Sequence, residues 1–424
     1  MPHPAKQEVN LTMACLYVGI DLGLNNFVVR VIDEQGKPVS GTFTLTNDLV
    51  GAEKLVDKLL EFLASTGSTQ LRIGMEATNV YWWHLHEFLS QHDALQPFDT
   101  EIYVLNPSLV DGFKKAYTKL PKTDAIDAWV IADRLRFGGL RPTLPQDPRY
   151  AALQRLTRFR YHLVHNLIRE KNRALGMIFL KFSPLCDDQQ NPFSDPFGKA
   201  ATAVLSELTP DEVAERPLEE LAQFIAEHSN NRLRDPQALA QELKRLAQRA
   251  YRLNPTVADA IEITLSMTLS NIQFLQQQLK KLDKVIARHL AAIPQTLDTV
   301  PGIGPVIAAG IVSEIGDISR FDNQAALAKF AGLTWSVHQS SQFRADDTKL
   351  TKSGNYYLRY YLIEAANSLR VHNREYAEFY HRKYREATTH HHKRGLVLTA
   401  RKFVRLVYAL LSKGQIYDER RATG

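Results

Sequence analysis

Asp21, Glu76, Asp124 and Asp127 stand in the segments YVGIDLGLNN, LRIGMEATNV and KTDAIDAWVIADR. The first two sit at the ends of hydrophobic runs that read as strands. The other two are three apart on a predicted helix, so they share one face. Carboxylates gathered in this way repel one another unless positive charge lies between them. Hard divalent cations with oxygen ligands are the natural occupants, Mg²⁺ first, with Mn²⁺ accepting the same ligands. Two such ions about 4 Å apart clamp a phosphodiester for in-line displacement. The four residues therefore point to strand-cutting chemistry on nucleic acid.

For the four to meet, the elements that carry them must converge. CLYVGIDL, NFVVRVID and SGTFTLT are apolar or alternating runs joined by the short turns LGLNN and EQGKP, and they predict an antiparallel meander. A helical pattern follows from Gly51 to Ala64. Then come strand LRIGMEA, helix VYWWHLHEFLSQ, strand EIYVLN and a helix beginning near Pro107. The order β-β-β-α-β-α-β-α is that of the ribonuclease H fold. Its first and fourth strands are neighbours, which would join Asp21 to Glu76, and a later helix would deliver Asp124 and Asp127. Gly19 and Gly23 flank Asp21, and Gly74 lies two before Glu76; glycine there would let a ligand backbone come close. Trp82 and Trp83 read as core, and Asp133 as a surface or salt-bridge residue.

At 424 residues the chain calls for two or three domains. We place them at 13–150, 151–294 and 295–424, an α/β part followed by mainly α parts. Hydrophobic content of 44% and charged content of 23% fit a folded soluble protein. No apolar run has bilayer-spanning length, and MPHPAKQEVN lacks a signal-peptide pattern, so no membrane is expected. Cys15 and Cys186 are too far apart in kind and sequence to argue for a disulfide or zinc site, which fits a reducing bacterial cytoplasm. The net charge of +6 is unevenly spread. Residues 103–175 carry 14 Lys/Arg against 6 Asp/Glu, and residues 349–421 carry 16 against 6. Two basic blocks in a chain acidic elsewhere predict polyanion-facing surfaces.

From Ala151 to about Phe182 the pattern is helical. Arg155, Arg158, Arg160, Arg169, Lys171 and Arg173 are interleaved with Phe159, Tyr161 and His162. A second long helix starts at Pro255 and runs to about Ala292, with apolar spacing that suggests an antiparallel coiled coil or a dimer contact. PGIGP, Pro301 to Pro305, reads as a helix-hairpin-helix turn between two apolar helices. Gly302 and Gly304 would there let backbone N–H groups approach a phosphate. The stretch ALAKFAGLTWSVHQSSQF, the basic loop RADDTKLTKSGN and the helix YYLRYYLIEAANSLR follow. Lys349, Lys352 and Arg359 are candidate phosphate clamps, while His390, His391 and His392 read as a solvated loop.

Five segments in order now carry a resemblance over nearly the whole chain: GIDLGLNNFVVRVID, GMEATNVYWWHL, KTDAIDAWVIADRLR, VPGIGPVIAAGIVSEIGDISRFDNQAALAKFAGLTWSVHQS and TKSGNYYLRYYLIEAA. The chain resembles the DEDD insertion-sequence transposases of the family numbered one hundred and ten, with its subgroup numbered one thousand one hundred and eleven, and the related Piv DNA invertases. The resemblance implies a RuvC-like domain bearing Asp21, Glu76, Asp124 and Asp127, a central helical region for oligomerisation, and a C-terminal transposase domain with a nucleophilic serine. Ser340 aligns with that serine. Position 341 is Ser where the family usually has Gly, which puts Ser341 in play as well.

The resemblance further implies a site-specific recombinase that binds donor and target DNA. A structured noncoding RNA, the bridge RNA, would guide it, and homodimers would pair into a tetramer. Metal held by the carboxylates would support attack by the serine, giving a covalent phosphoserine that a hydroxyl of the partner DNA later resolves. The alternative is a RuvC-type junction nuclease that uses water and needs no serine.

Overall fold

A computed structural model describes residues 14–118, 120–187, 189–229, 233–335 and 350–419, and the backbone of 339–340 and 343–344. The chain divides into two compact units, Met1–Gln146 and Asp147–Gly424.

In the first unit, strands β1 (Cys15–Leu22), β2 (Asn26–Ile32), β3 (Phe43–Thr46), β4 (Gln70–Glu76) and β5 (Asp99–Leu105) form one sheet in the order β3-β2-β1-β4-β5. The first three are the expected antiparallel meander, and β4 and β5 add parallel to β1. Gly23 closes the first turn by donating its N–H to the Asn26 carbonyl at 2.8 Å. Helices α1 (Leu49–Thr66), α2 (Trp82–Gln91), α3 (Pro107–Lys114) and α4 (Asp124–Arg136) complete the unit.

Side chains alternate along a strand, so each strand serves two cores. Leu16, Val18, Ile20, Leu71, Ile73 and Met75 pack with Leu55, Leu59 and Leu63 of α1 and Leu85 and Leu89 of α2. Tyr17, Tyr103 and Leu105 pack on the opposite face with Val110 of α3 and Val130, Ile131 and Leu135 of α4. Trp82 packs against the first of these cores, as expected.

The second unit is built on two long helices, α5 (Pro148–Phe182) and α10 (Pro255–Leu290), which pack along each other. Arg160 pairs with Asp283 at 2.6 Å and Lys181 with Glu262 at 3.3 Å, so the helices run antiparallel. Short helices α6 (Lys199–Glu207), α7 (Pro210–Glu215), α8 (Leu218–His228) and α9 (Pro236–Arg249) join them. These pack with residues 174–185 and with Leu265, Leu269 and Ile272 in one core. The opposite ends of the long helices, through Leu153, Ile286 and Leu290, enter a second core. It is shared with α11 (Pro305–Ile315), α12 (Gln324–Phe330), α13 (Tyr356–His372), α14 (Arg374–Glu386) and α15 (His391–Lys413).

One expectation needs correction here. No apolar helix precedes PGIGP; a single 3-10 turn, Leu297–Thr299, stands there, and α10 has already ended at Leu290. Pro294 and Pro301 bracket a span of only six residues, and Val300, directly before Pro301, is held extended, which leaves no room for an α-helix. The His390–His392 run is also partly regular, since α15 starts at His391 and His392 Nδ1 meets the Tyr380 hydroxyl at 2.7 Å.

Candidate active site

The carboxylates converge because of two glycines. Gly19 and Gly74 are register partners in β1 and β4. A Cβ on Gly19 would lie 1.9 Å from the Ala128 carbonyl oxygen, and one on Gly74 would lie 2.9 Å from the Ile131 and Leu135 side chains. The glycine pair is thus a slot in which α4 lies directly on the sheet. This corrects the expectation that these glycines admit a ligand: the backbone they admit is that of α4. Two residues further along the same face stand Asp21 and Glu76, one step past the Ile20–Met75 register pair. Asp127 stands directly before Ala128, and Asp124 one helical turn before it. The slot that seats the helix therefore brings its first turn over the two strand ends.

Thr123 starts the helix at that point. Its extended backbone and its side chain, which accepts from the Ile126 N–H at 3.3 Å, form the N-cap. Asp124 and Asp127 occupy the first turn, where the partial positive charge of the helix terminus favours acidic groups. Asp124 is exposed, and Asp21, Glu76 and Asp127 are half-buried. Glu76 Oε1 accepts from Thr78 Oγ1 at 3.1 Å. Asp127 is ion-paired to Lys114, the last residue of α3.

Burial, reinforced by the negative charge of Asp124, Asp127 and Glu76, pushes the Asp21 carboxyl up to about 6; Lys114 opposes the rise. The four acids thus share one electrostatic environment. Among the described residues, no three His, Cys, Asp or Glu side chains stand in closed metal-coordinating geometry. An all-oxygen donor set, its Asp21 carboxyl pushed up by burial and by the negative charge of its neighbours, fits a hard divalent cation.

The C-terminal candidates are placed as follows. Ser340 belongs to a two-residue strand, β6 (Gln339–Ser340), whose backbone pairs with β7 (Phe343–Arg344). Ser341 and Lys349 lie outside the described residues. The segment is closed at its base by Thr334 and Thr351, where the Thr351 N–H donates to the Thr334 carbonyl at 2.8 Å, and by the Trp335–Leu350 bridge. Lys352 is exposed, with a positive φ of 53°. Arg359 is half-buried and donates to the Ala331 carbonyl at 3.0 Å. Gly302 has a φ of 93° and its carbonyl accepts from Ser368 Oγ at 2.6 Å, which ties the turn to α13. Gly304 is the N-cap of α11, and a Cβ there would meet open space. Arg155 is exposed on α5.

Arg158 is committed inward. Its guanidinium makes a two-pronged pair with Glu314 of α11, at 2.7 and 2.9 Å, and the Glu314 side chain has no exposed surface. Asn355, the N-cap of α13 just after the serine-bearing segment, donates to the same carboxylate at 2.7 Å. Glu314, Asn355, Thr123 and Lys114 are positioning groups that the sequence reading missed. Only Thr123 had a local signal, a threonine directly ahead of an acidic helical start.

Residues 18–182 match a family model described as "Transposase", and residues 294–381 match one described as "Transposase IS116/IS110/IS902 family". The 44.8 kDa protein of insertion element IS116 from Streptomyces clavuligerus is 23% identical over 406 residues, 95% of this chain and 96% of its own. The 43.6 kDa protein of insertion element IS110 from Streptomyces coelicolor is 26% identical over 320 residues, 72% of this chain and 74% of its own. A further Streptomyces coelicolor protein, of the mini-circle IS117, is 26% identical over 338 residues, 77% of each chain. With matches in both compact units and relatives aligned along most of its length, the chain belongs to the IS116/IS110/IS902 family of DNA transposases.

Proposed function

We propose that this transposase is a serine recombinase whose carboxylate centre is a RuvC-like metal site. The observation that carries the reading is the seating of α4 in the Gly19–Gly74 slot, which sets its first turn, with Asp124 and Asp127, beside the strand ends that bear Asp21 and Glu76. Asp21, Glu76, Asp124 and Asp127 would hold divalent metal, Mg²⁺ or Mn²⁺, which when bound polarises the scissile phosphate. The Ser340 hydroxyl attacks phosphorus. Its Oγ–P bond forms as one P–O bond of the DNA backbone breaks, and the departing strand oxygen leaves as a hydroxyl carrying a proton. A hydroxyl of the partner DNA then reverses the step, restoring the serine. The phosphodiester energy is kept in the adduct, so no nucleotide triphosphate is consumed.

The resemblance of the whole chain supports the remaining features of this reading. A structured bridge RNA chooses donor and target DNA by base pairing. Homodimers pair into a tetramer around the two DNAs. Exposed Arg155 and Lys352 contact nucleic-acid backbone, as do Lys349, Arg359 and the α11 terminus at Gly302 and Gly304.

The test is covalent trapping. Purified protein, with its co-purifying RNA, meets labelled DNA carrying the element junction and Mg²⁺, and is run on a denaturing gel. A DNA–protein adduct is expected, absent from Ser340→Ala and from Asp124→Asn. Cleaved DNA without adduct, with both Ser340→Ala and Ser341→Ala active, would mean a water-using junction nuclease instead.

A further inference from the structure

We propose that Lys114 is the built-in counter-cation of the carboxylate centre: it holds Asp127 while no divalent ion is bound, and metal entry requires it to let go. The inference rests on the reading of the four carboxylates as metal ligands.

Lys114 reaches the centre by construction. It is the final residue of α3, which packs against α4, and its ammonium pairs with Asp127 Oδ1. The two side chains are only 21% and 25% exposed, so the pair is shielded from bulk solvent. The adjacent Lys115 is sorted the other way. It pairs with Asp111 at 2.6 Å, with both side chains largely exposed. Arg134 of α4 lays its guanidinium over the Phe113 and Phe137 rings and donates to the Gly138 carbonyl. Two neighbouring lysines with opposite assignments mark Lys114 as the one that serves the acids. Its charge also acts on Asp21, opposing the three carboxylates.

An ammonium is a compact charge on a flexible stem, so it can swing away without disturbing α3. A divalent ion and an ammonium cannot both sit against Asp127 without strong repulsion. Binding is therefore a competition in which Lys114 stabilises the metal-free state and lowers metal affinity. Such a device keeps a strand-cutting centre closed until both metal and nucleic acid, which brings its own phosphate for the displaced ammonium, are present.

The test measures Mn²⁺ binding to the full-length protein, without DNA, by electron paramagnetic resonance and calorimetry. Lys114→Met keeps the stem and removes the charge, and Lys114→Gln is a second neutral variant; metal-free circular dichroism checks that each is folded. Both should bind Mn²⁺ about tenfold more tightly than wild type, whereas Lys114→Arg should bind no more tightly than wild type. Unchanged or weaker binding by a folded neutral variant, with wild-type binding abolished by Asp21→Asn, overturns the role of Lys114 and leaves the metal site standing. Mn²⁺ binding unaffected by Asp21→Asn and by Asp124→Asn would overturn both readings together.

Discussion

Gly19 and Gly74 face each other across two parallel strands beneath a single helix, and the absence of two Cβ atoms sets where that helix lies. The two positions differ in what they touch. Gly19→Ala would drive a methyl into the Ala128 backbone, 1.9 Å away, which cannot yield without moving α4. We expect a loss of ~3 kcal/mol. Gly74→Ala meets only the ends of the Ile131 and Leu135 side chains, and should cost ~1 kcal/mol. Urea unfolding of both variants gives the order; a costlier Gly74→Ala would mean that α4 is not seated as described.

Thr123 sets the start of α4 rather than its position on the sheet. Thr123→Ala should cost ~1 kcal/mol, and Thr123→Ser should recover most of it. Fraying of the first turn would also spread Asp124 and Asp127. Amide hydrogen exchange should therefore speed up at Ile126 and Asp127 in the alanine variant and stay slow further along the helix.

Asp21 makes the metal-free protein sensitive to pH in a stated direction. Its folded value of about 6 stands above its ordinary 3.8, so between these values the native state holds a proton that the unfolded chain has released. The stabilisation is present below the lower value and is lost as pH rises through the higher one. With partial exposure discounted, the loss is on the order of 1–2 kcal/mol. Asp21→Asn, neutral throughout, should remove this decline and be the more stable protein at pH 7.5 in chelator. Parallel pH profiles of thermal unfolding for the two proteins would contradict the crowding of the acids.

Glu314 is fully buried and pairs with Arg158 on one side and Asn355 on the other. Removing one partner of a buried pair strands the other charge, so Glu314→Ala should cost about 3–5 kcal/mol. Arg158→Met combined with Glu314→Leu should cost much less than the sum of the single changes. Denaturant titration of the four proteins measures the coupling, and additive losses would show that the pair is not a unit.

How far the sequence reveals this site depends on what each residue's placement needs. Strand alternation alone decides that Asp21 shares a face with Gly19 and Glu76 with Gly74, and helical spacing pairs Asp124 with Asp127, so these two placements were legible. Lys114 was not, because residues 115–123 lead from α3 to α4 with no periodicity to say where that lysine returns. Glu314 reads as one charge in the apolar helix PVIAAGIVSEI; its partner lies 156 residues earlier. Arg158 was counted among polyanion-facing residues for the matching reason. Charge runs show how many basic groups a helix bears, not which of its faces another helix will cover. The turn at Leu297–Thr299 was missed because the PGIGP signature implies a helix on each side, while only the short, mostly polar run QTLDTV stands between Pro294 and that motif.

The long helices of the second unit also limit how this chain can change length. Arg160 and Lys181 on α5 answer Asp283 and Glu262 on α10, with the members 21 residues apart in each helix. One residue inserted between them in a single helix would turn everything beyond it by about 100° and shift it by ~1.5 Å. One of the two ion pairs would then face the wrong way. Insertions and deletions within this stretch are tolerated only as matched changes to both helices. Drift in size has a free outlet elsewhere, in the segment 183–254 that links the C-terminus of α5 to the N-terminus of α10, where an added helix lengthens a connection without breaking the pairing.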